Sequence, residues 1–336
     1  DADFYQARLR LQPTEWLRTE LGRQFVSEGF STELIDGLRA TLVPARWLEA
    51  TVYAGVPRSV ERGDFNADDG LLTGLSLGLS GMERTSARLS AAWRKLDATQ
   101  ADWRQNDSLL LGAGASHRFG GSRAPTLYGL LEYDLSAKVT DTATVGADIT
   151  PFERLSGTLE FDYFNVNRQT NRQTILGLIA QGPIWSGRVA ATLTLIPDWI
   201  DLRASYGYYR MEVQPGAWRT GHLLDVTAPI RWGAIGLGVQ PGYSYSSSFG
   251  GRLYGARLIA HEDFTPRLFA DAGVHFTTYR KITRDNDIGV GSWLWAGYAV
   301  AKHLTVSAGA EYNTNNALNR DIRGGVRIRF HDKRAL

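Results

Sequence analysis

The chain has 336 residues and a formal net charge of +2, so it lacks the basic surplus of a nucleic-acid-binding protein. It contains no cysteine, which excludes disulfides, thiolate metal sites and cysteine nucleophiles and suits a protein of the cell envelope. The mean hydropathy is −0.24. No stretch reaches the roughly 18 apolar residues of a membrane helix.

Apolar and polar residues alternate in segments along the whole chain. In LRTELGRQF, residues 17–25, Leu17, Leu21 and Phe25 share one face, and Glu20 and Gln24 share the other. Successive side chains of a strand point to opposite faces, so each such segment predicts a β-strand. The same pattern recurs at residues 48–56, 71–79, 155–166, 200–211 and 304–312. We expect about 18 to 20 strands of roughly 9 to 12 residues, long enough to cross a bilayer at a tilt.

The segment VPARWLEATVYAGV, residues 43–56, indicates what the apolar face contacts. Its apolar face holds Leu48, Ala50, Val52 and Ala54, which are modest in size. A soluble core of so many strands would need larger, interlocking side chains. The opposite faces along the chain carry Gly, Ser, Thr, Asp, Glu and Arg, so we expect them to be wet and the apolar faces to contact lipid.

The connections between strands alternate between short turns and long loops. Short turns such as QPTEW, VPARW and IPDWI are followed by long polar loops such as PRSVERGDFNADDG and RKITRDNDIGVG. This asymmetry is typical of an outer-membrane barrel with periplasmic turns, whereas a sandwich has Greek-key crossovers.

Aromatic residues cluster at the two ends of the predicted strands, as membrane interfaces select. A propeller with repeated blades would also repeat its aromatics, but strand length and turn asymmetry favour the barrel. The residues predicted at the interfaces are Trp16, Trp47, Trp199 and Trp232 beside the short turns, and Tyr53, Tyr163, Tyr208 and Tyr312 near the opposite ends.

These patterns predict an all-β fold, a transmembrane up-and-down antiparallel β-barrel of about 18–20 strands with short periplasmic turns and long extracellular loops. Residues 1–330 are predicted to form this single domain, and residues 331–336 a short periplasmic tail. If the short turns are periplasmic, the chain starts outside, so one or more N-terminal strands are absent or one hairpin is miscounted.

Two stretches resemble known barrels. LRTELGRQFVSEGF followed by IDGLRATL resembles the GRQ and DGLR segments of Gram-negative outer-membrane porins and alginate-export-like barrels, through Gly22–Gln24 and Asp36–Arg39. The remainder is similar in texture to uncharacterised deltaproteobacterial outer-membrane barrel proteins. This resemblance implies the outer membrane of a Gram-negative bacterium as the location.

The end of the chain carries the second resemblance. In IRGGVRIRF, Val326, Ile328 and Phe330 resemble the alternating, Phe-terminated signal read by the barrel-assembly machinery. The six residues that continue past Phe330 depart from that pattern.

Charges on the predicted inward faces are segregated along the sequence. A basic wall is predicted from Arg8, Arg10, Arg18, Arg39, Arg323, Arg327 and Arg329. An acidic wall is predicted from Glu132, Asp134, Asp148, Glu160 and Asp162. Closure would place the first and last strands side by side and give a transverse field in the pore. Plain solvation of a wet lumen with cross-strand ion pairs is the alternative.

Catalytic and metal-binding patterns are sparse, so we predict no enzyme, no metal and no cofactor. Of the six histidines, His275 is predicted mid-strand and inward, near Asp271, which is more often a satisfied pair than a catalytic dyad. The loop GDFNADDG lacks the terminal Glu of an EF-hand and is predicted to be a solvated loop.

The predicted function is an outer-membrane channel that passes polar solutes or an exported polymer through a charged, water-filled lumen. The alternative is a structural sleeve that houses or docks a partner, such as a secretion component or an electron-carrying cytochrome. Expected partners are outer-membrane lipid and lipopolysaccharide, the barrel-assembly machinery, and a periplasmic or lumenal protein in the sleeve case, without nucleic acid.

The loop asymmetry gives a test of orientation. Cysteines introduced at Asn66 or Asn286 should react with an impermeant maleimide on intact cells, and a cysteine at Ala45 should not, because it sits at a proline turn. The reverse labelling pattern would overturn the assignment.

Overall fold

A computed structural model describes residues 7–27, 33–58, 70–80, 82–95, 107–121, 123–165, 182–248, 251–281, 287–301, 303–315 and 320–330. These residues are all-β. They include no helix long and apolar enough to cross a membrane. The predicted tail and most of the long predicted loops, Asn66 and Asn286 included, lie outside the described residues.

The strands of the described residues are β1 (Ala7–Thr14), β2 (Leu17–Val26), β3 (Glu33–Ala45), β4 (Leu48–Arg58), β5 (Leu71–Leu79), β6 (Thr85–Lys95), β7 (Asp107–Arg118), β8 (Thr126–Asp134), β9 (Val139–Phe152), β10 (Leu155–Asn165), β11 (Pro183–Ile196), β12 (Ile200–Gln214), β13 (Ala217–Thr227), β14 (Ile230–Trp232), β15 (Leu237–Ser248), β16 (Gly251–Asp263), β17 (Leu268–Lys281), β18 (Asp287–Ala301), β19 (Leu304–Asn315) and β20 (Asp321–Phe330).

The strands follow an up-and-down order. Each strand from β1 to β9 pairs antiparallel with the next one along the chain. Each strand from β14 to β19 does the same. The predicted fold class, an up-and-down antiparallel barrel of about 18–20 strands, is confirmed.

Strands β13 and β14 lie end to end along β15. His222–Thr227 of β13 pair with Gly242–Ser247, and Ile230–Trp232 of β14 pair with Leu237–Val239. Pro229 lies at the interruption and has no N–H to donate to a ladder. Its carbonyl instead accepts the Asp201 N–H at 3.1 Å, so the break leaves that acceptor satisfied.

The chain divides into two compact units. Unit 1 comprises residues 1–149, 159–187 and 210–218, and unit 2 comprises residues 150–158, 188–209 and 219–336. The assignment of residues 1–330 to a single domain stays a prediction.

In unit 1 the two faces of the strands differ sharply. Leu21 and Val52 point outward and are 56% and 49% exposed. On the opposite, inner face, Glu20 and Thr51 are at most 2% exposed. The expected apolar outer face is therefore present, but the expectation that every inner face is wet is wrong here, because the chain itself covers these groups. Tyr53 is 6% exposed on the inner face, so its predicted place in an interfacial belt is wrong.

In unit 2 the outer face is also apolar. Val274, Leu294 and Ile328 are 52%, 58% and 60% exposed, and the register places them on the face opposite Asp271, Trp295 and Arg327. Such exposure suits lipid as the neighbour.

Inward aromatic rings lie across glycines of the neighbouring strand. Tyr53 stands directly opposite Gly74, and Tyr128 directly opposite Gly146. A Cβ at either glycine would collide with the tyrosine ring. Trp293 lies over Gly273 in the same way, where a Cβ would be 2.6 Å from the indole. Glycine thus lets a large ring lie flat on the wall.

A glycine row across β2, β3 and β4 serves a different purpose. Gly37 is opposite both Gly22 and Gly55, and a Cβ on Gly37 would lie 2.5 Å from the Gly55 Cα. The contact is with backbone, which cannot rotate away. The three backbones can pack this closely only without side chains.

Replacing Gly37 with Ala should therefore destabilise the protein by about 1 to 3 kcal/mol through overpacking. Gly78→Ala is the matched control, since the nearest atom to its added Cβ would be 3.7 Å away. Urea unfolding in detergent, followed by tryptophan emission, measures both. Equal stability of the two variants would contradict this account of the glycine row.

Candidate pore-lining sites

Three arginines of unit 1 converge on one buried carboxylate. The register places Arg10 opposite Glu20 and Glu20 opposite Arg39, so β1, β2 and β3 present one row. Arg10 Nε donates to Glu20 Oε1 at 2.7 Å, and Arg8 donates to Oε2 at 3.2 Å. A guanidinium nitrogen of Arg39 lies 3.5 Å from Oε2. Glu20 is 2% exposed.

We call Arg8, Arg10, Glu20 and Arg39 the Glu20 cluster. Its three arginines and one carboxylate leave a net charge of +2 on this part of the inner face. Three of the seven predicted basic residues are therefore brought together, by an acidic partner that the prediction left out. The signal was present in sequence, because Glu20 shares the inward parity of Arg18 between two basic strands. Arg18 is exposed.

The predicted acidic residues lie on the inner face of β8 to β10. Tyr128 donates to Glu160 at 2.8 Å, and Thr144 donates to Asp162 at 2.8 Å. Glu132 is 6% exposed and Asp134 is fully buried. Asp148 is exposed.

Asp134 also stabilises a turn. Its carboxylate accepts the Ala137 N–H at 2.9 Å and so holds the turn that follows β8. A pore-lining role for the acidic residues stays a prediction, since Glu132 and Asp134 are covered by the chain itself.

Unit 2 contains an inner-face cleft of about 340 Å³ that combines aromatic and charged side chains. We call it the aromatic cleft. Its lining residues are Phe269, Asp271, Trp293, Trp295, Thr305, Ser307, Glu311, Arg327 and Arg329.

Cross-strand register builds the aromatic cleft. Trp295 stands between Asp271 of β17 and Gly309 of β19, and the Arg327 guanidinium lies 4.8 Å from the centre of its ring. Trp293 stands opposite Glu311, so each indole has a carboxylate beside it. Such a site offers flat faces for stacking and both signs of charge for hydrogen bonding.

The remaining predicted basic residues lie on β20, on the same inner face as the aromatic cleft. Arg323 pairs with Asp321 at 2.8 Å, while Arg329 is exposed opposite Thr305. The predicted neighbourhood of Arg327 and Arg329 with Arg8 and Arg10 stays a prediction, because the two sets belong to different units.

The histidine–aspartate pair differs from the predicted one. Asp271 bonds His261 Nδ1 at 2.7 Å, and Asp263 lies 3.3 Å from the other ring nitrogen. His275 instead lies across Gly291, where a Cβ would meet its ring. Asp271 stands directly opposite His261, and a directly opposed partner on the next strand lies closer than His275, which is four residues further along the same strand. No group of three metal-ligating side chains occurs within the described ranges.

The predicted interfacial residues and assembly signal are accessible at the strand ends. Trp16, Trp47 and Trp199 are 50% to 52% exposed beside the turns, and Trp232 is partly exposed. Tyr163 packs against Trp185 with ring centres 4.6 Å apart, Tyr208 is 39% exposed, and Tyr312 is partly exposed. Val326, Ile328 and Phe330 are 60% to 78% exposed on the outer face.

Solved structures share this arrangement of strands. A BenF-like porin from Pseudomonas fluorescens Pf-5 superposes with a TM-score of 0.51 at 9% identity, covering 93% of this chain and 96% of that one. Pseudomonas aeruginosa OccK3 (OpdO) superposes with a TM-score of 0.50 at 11% identity, covering 93% and 95%. The chain has the fold of an outer-membrane porin.

The porin fold confirms the predicted resemblance to Gram-negative outer-membrane porins and agrees with the predicted outer-membrane location. At this identity the likeness concerns fold alone. No family model matches the sequence, and no curated protein matches it.

Within this porin fold, the Glu20 cluster gives a stability test. Glu20→Gln should cost about 2 to 3 kcal/mol, because three guanidiniums lose their shared carboxylate. Glu49→Gln is the control, since Glu49 is 31% exposed and lies 3.7 Å from a single arginine, and it should cost less than about 1 kcal/mol. Thermal loss of the compact band on cold SDS gels measures both. An unchanged melting temperature for Glu20→Gln would show that the cluster does not hold β1 to β3 together.

Proposed function

We propose that the protein is a porin-like channel for small polar solutes. The observation that carries this proposal is the aromatic cleft, which places both signs of charge on the inner face of unit 2 while the outer face stays apolar. The porin fold supports it.

The composition of the cleft indicates the kind of solute. Asp271 and Glu311 line the cleft together with Arg327 and Arg329, so the lining has balanced charge. Balanced charge beside indole faces favours solutes that carry hydroxyl, carboxylate or amine groups on a small apolar frame.

Two narrower readings have less support. Neither passage of an exported polymer nor a sleeve around a partner protein has a contact among the described residues that favours it over a channel for small solutes. The absence of enzymatic activity stays a prediction.

The setting of the channel is part of the proposal. We place it in the outer membrane of a Gram-negative bacterium, with lipopolysaccharide around its outer leaflet and the barrel-assembly machinery reading Val326, Ile328 and Phe330. The exposure of these three side chains supports that reading.

Conductance in planar bilayers tests the proposal. Purified protein should insert in discrete steps of stable conductance in potassium chloride. Insertion shown by protease protection without any conductance step would contradict a channel function.

The arginines of β20 give a sharper test. Arg327→Glu with Arg329→Glu reverses two charges that face the aromatic cleft, so the reversal potential in a salt gradient should shift toward cation selectivity, most at low salt, where screening is weak. The control is the pair Arg327→Lys and Arg329→Lys, which keeps both charges and should keep the wild-type reversal potential. An unchanged potential in the Glu variant would show that these arginines do not line the conducting path.

A further inference from the structure

Two arginines face each other on the outer surface of unit 2. Arg252, the second residue of β16, stands directly opposite Arg280, near the end of β17. Both side chains are exposed. They share the strand face of Tyr254, Leu258 and Val274, which is the apolar outer face.

This pairing is unusual on electrostatic grounds. Like charges directly opposite on an antiparallel pair repel, and arginine is costly on the lipid side except near the interfaces. Within the described residues neither guanidinium has an ion-pair partner. Asp287, the nearest acidic residue along β18, is opposite Tyr279 and so has inward parity. The described residues around the pair thus provide no counter-charge on that face.

The height of the pair in the membrane follows from strand geometry. Arg252 is separated from the turn at residues 264–267 by about 11 residues, or roughly 37 Å of strand. At a tilt of about 35 to 45° this corresponds to roughly 26 to 30 Å along the membrane normal, close to the apolar band of such barrels. The arginines therefore lie at one interface if the turn lies at the other.

Tyrosines mark the same interface. One step below the arginines, Tyr254 packs against Tyr245 with ring centres 5.0 Å apart, and Tyr254 also stands opposite Thr278. Ser247 stands opposite Arg252 on the other side. Two guanidiniums thus lie near the hydroxyls of Ser247 and Thr278 and above an aromatic pair, an order of groups that suits a phosphate at the membrane surface with acyl chains below it.

We infer that Arg252 and Arg280 form a phosphate clamp for lipid A, the phosphorylated glycolipid of the outer leaflet. A phosphate between the two guanidiniums replaces their repulsion with charge-assisted hydrogen bonds. The acyl chains then lie along the apolar face below. The arginines are at the strand ends that lead to the predicted long loop around Asn286, and the inference rests on the proposed orientation, in which these loops are extracellular and face the leaflet that contains this lipid.

The test uses full-length protein refolded in detergent without lipopolysaccharide. Native mass spectrometry counts bound bis-phosphorylated lipid A, and thermal melting reports stabilisation. The variants are Arg252→Glu with Arg280→Glu, and the control is Arg154→Glu with Arg267→Glu, which makes the same charge change at exposed turn positions of the same unit. We expect at least a tenfold weaker binding in the first pair and wild-type binding in the control.

Two ligand controls separate the sources of phosphate. Lipid A stripped of both phosphates should bind the wild type at least tenfold more weakly, and inorganic phosphate at the same concentration should give no thermal shift. A full shift with inorganic phosphate alone, or wild-type binding of the stripped lipid, overturns the assignment to lipid A.

A second pair of variants keeps the test decisive if the Glu variant does not fold. Arg252→Gln with Arg280→Gln removes the repulsion, so in lipid-free detergent this variant should melt at or above the wild-type temperature and should gain no stability from lipid A. Wild-type stabilisation of this variant by lipid A would refute the clamp. Bilayer conductance is a separate readout, because a failed clamp leaves the channel proposal untouched.

Discussion

The alternation of side chains along each strand is the constraint on which the rest of this structure depends. In a bilayer every backbone group must find its partner within the sheet, and each residue then faces either lipid or the inner side. Leu48, Ala50, Val52 and Ala54 are fixed outward by this rule, and Thr51 and Tyr53 inward. The positions of the Glu20 cluster, the aromatic cleft and the outer arginine pair follow from the same parity.

Glycines on neighbouring strands determine how closely the inward-pointing aromatic side chains lie against the sheet. Tyr53, Tyr128 and Trp293 lie over glycines of a neighbouring strand, so bulky rings cover the wall without projecting across the inner side. The aromatic cleft of unit 2 exists because Gly273 and Gly309 leave room for Trp293 and Trp295 to lie flat. A sequence in which these glycines were alanines would have the same strand pattern and a different inner surface.

Much of the fold was predictable from local sequence, because a period of two, short proline turns and strand length are all local signals. The same period of two also predicted that Glu132 and Arg327 point inward. The partners were harder to predict, since they depend on register between strands. Asp271 was expected beside His275 and pairs with His261, and Glu20 was overlooked as the centre of three arginines. The burial of Glu20 could not be predicted from β2 alone, because Arg8, Arg10 and Arg39, which surround it, lie on the neighbouring strands β1 and β3.

The pairing of each strand with its neighbour in the chain has an evolutionary consequence. Over β1 to β9 and β14 to β20, a hairpin contacts only the strands before and after it in the sheet. Duplicating or deleting a whole hairpin would leave every other register and facing unchanged. Inserting one residue within a strand would instead turn its remaining side chains to the opposite face. Such a protein can therefore gain or lose strands one hairpin at a time. The number of strands can differ between relatives while the apolar outer face and the polar inner face are kept.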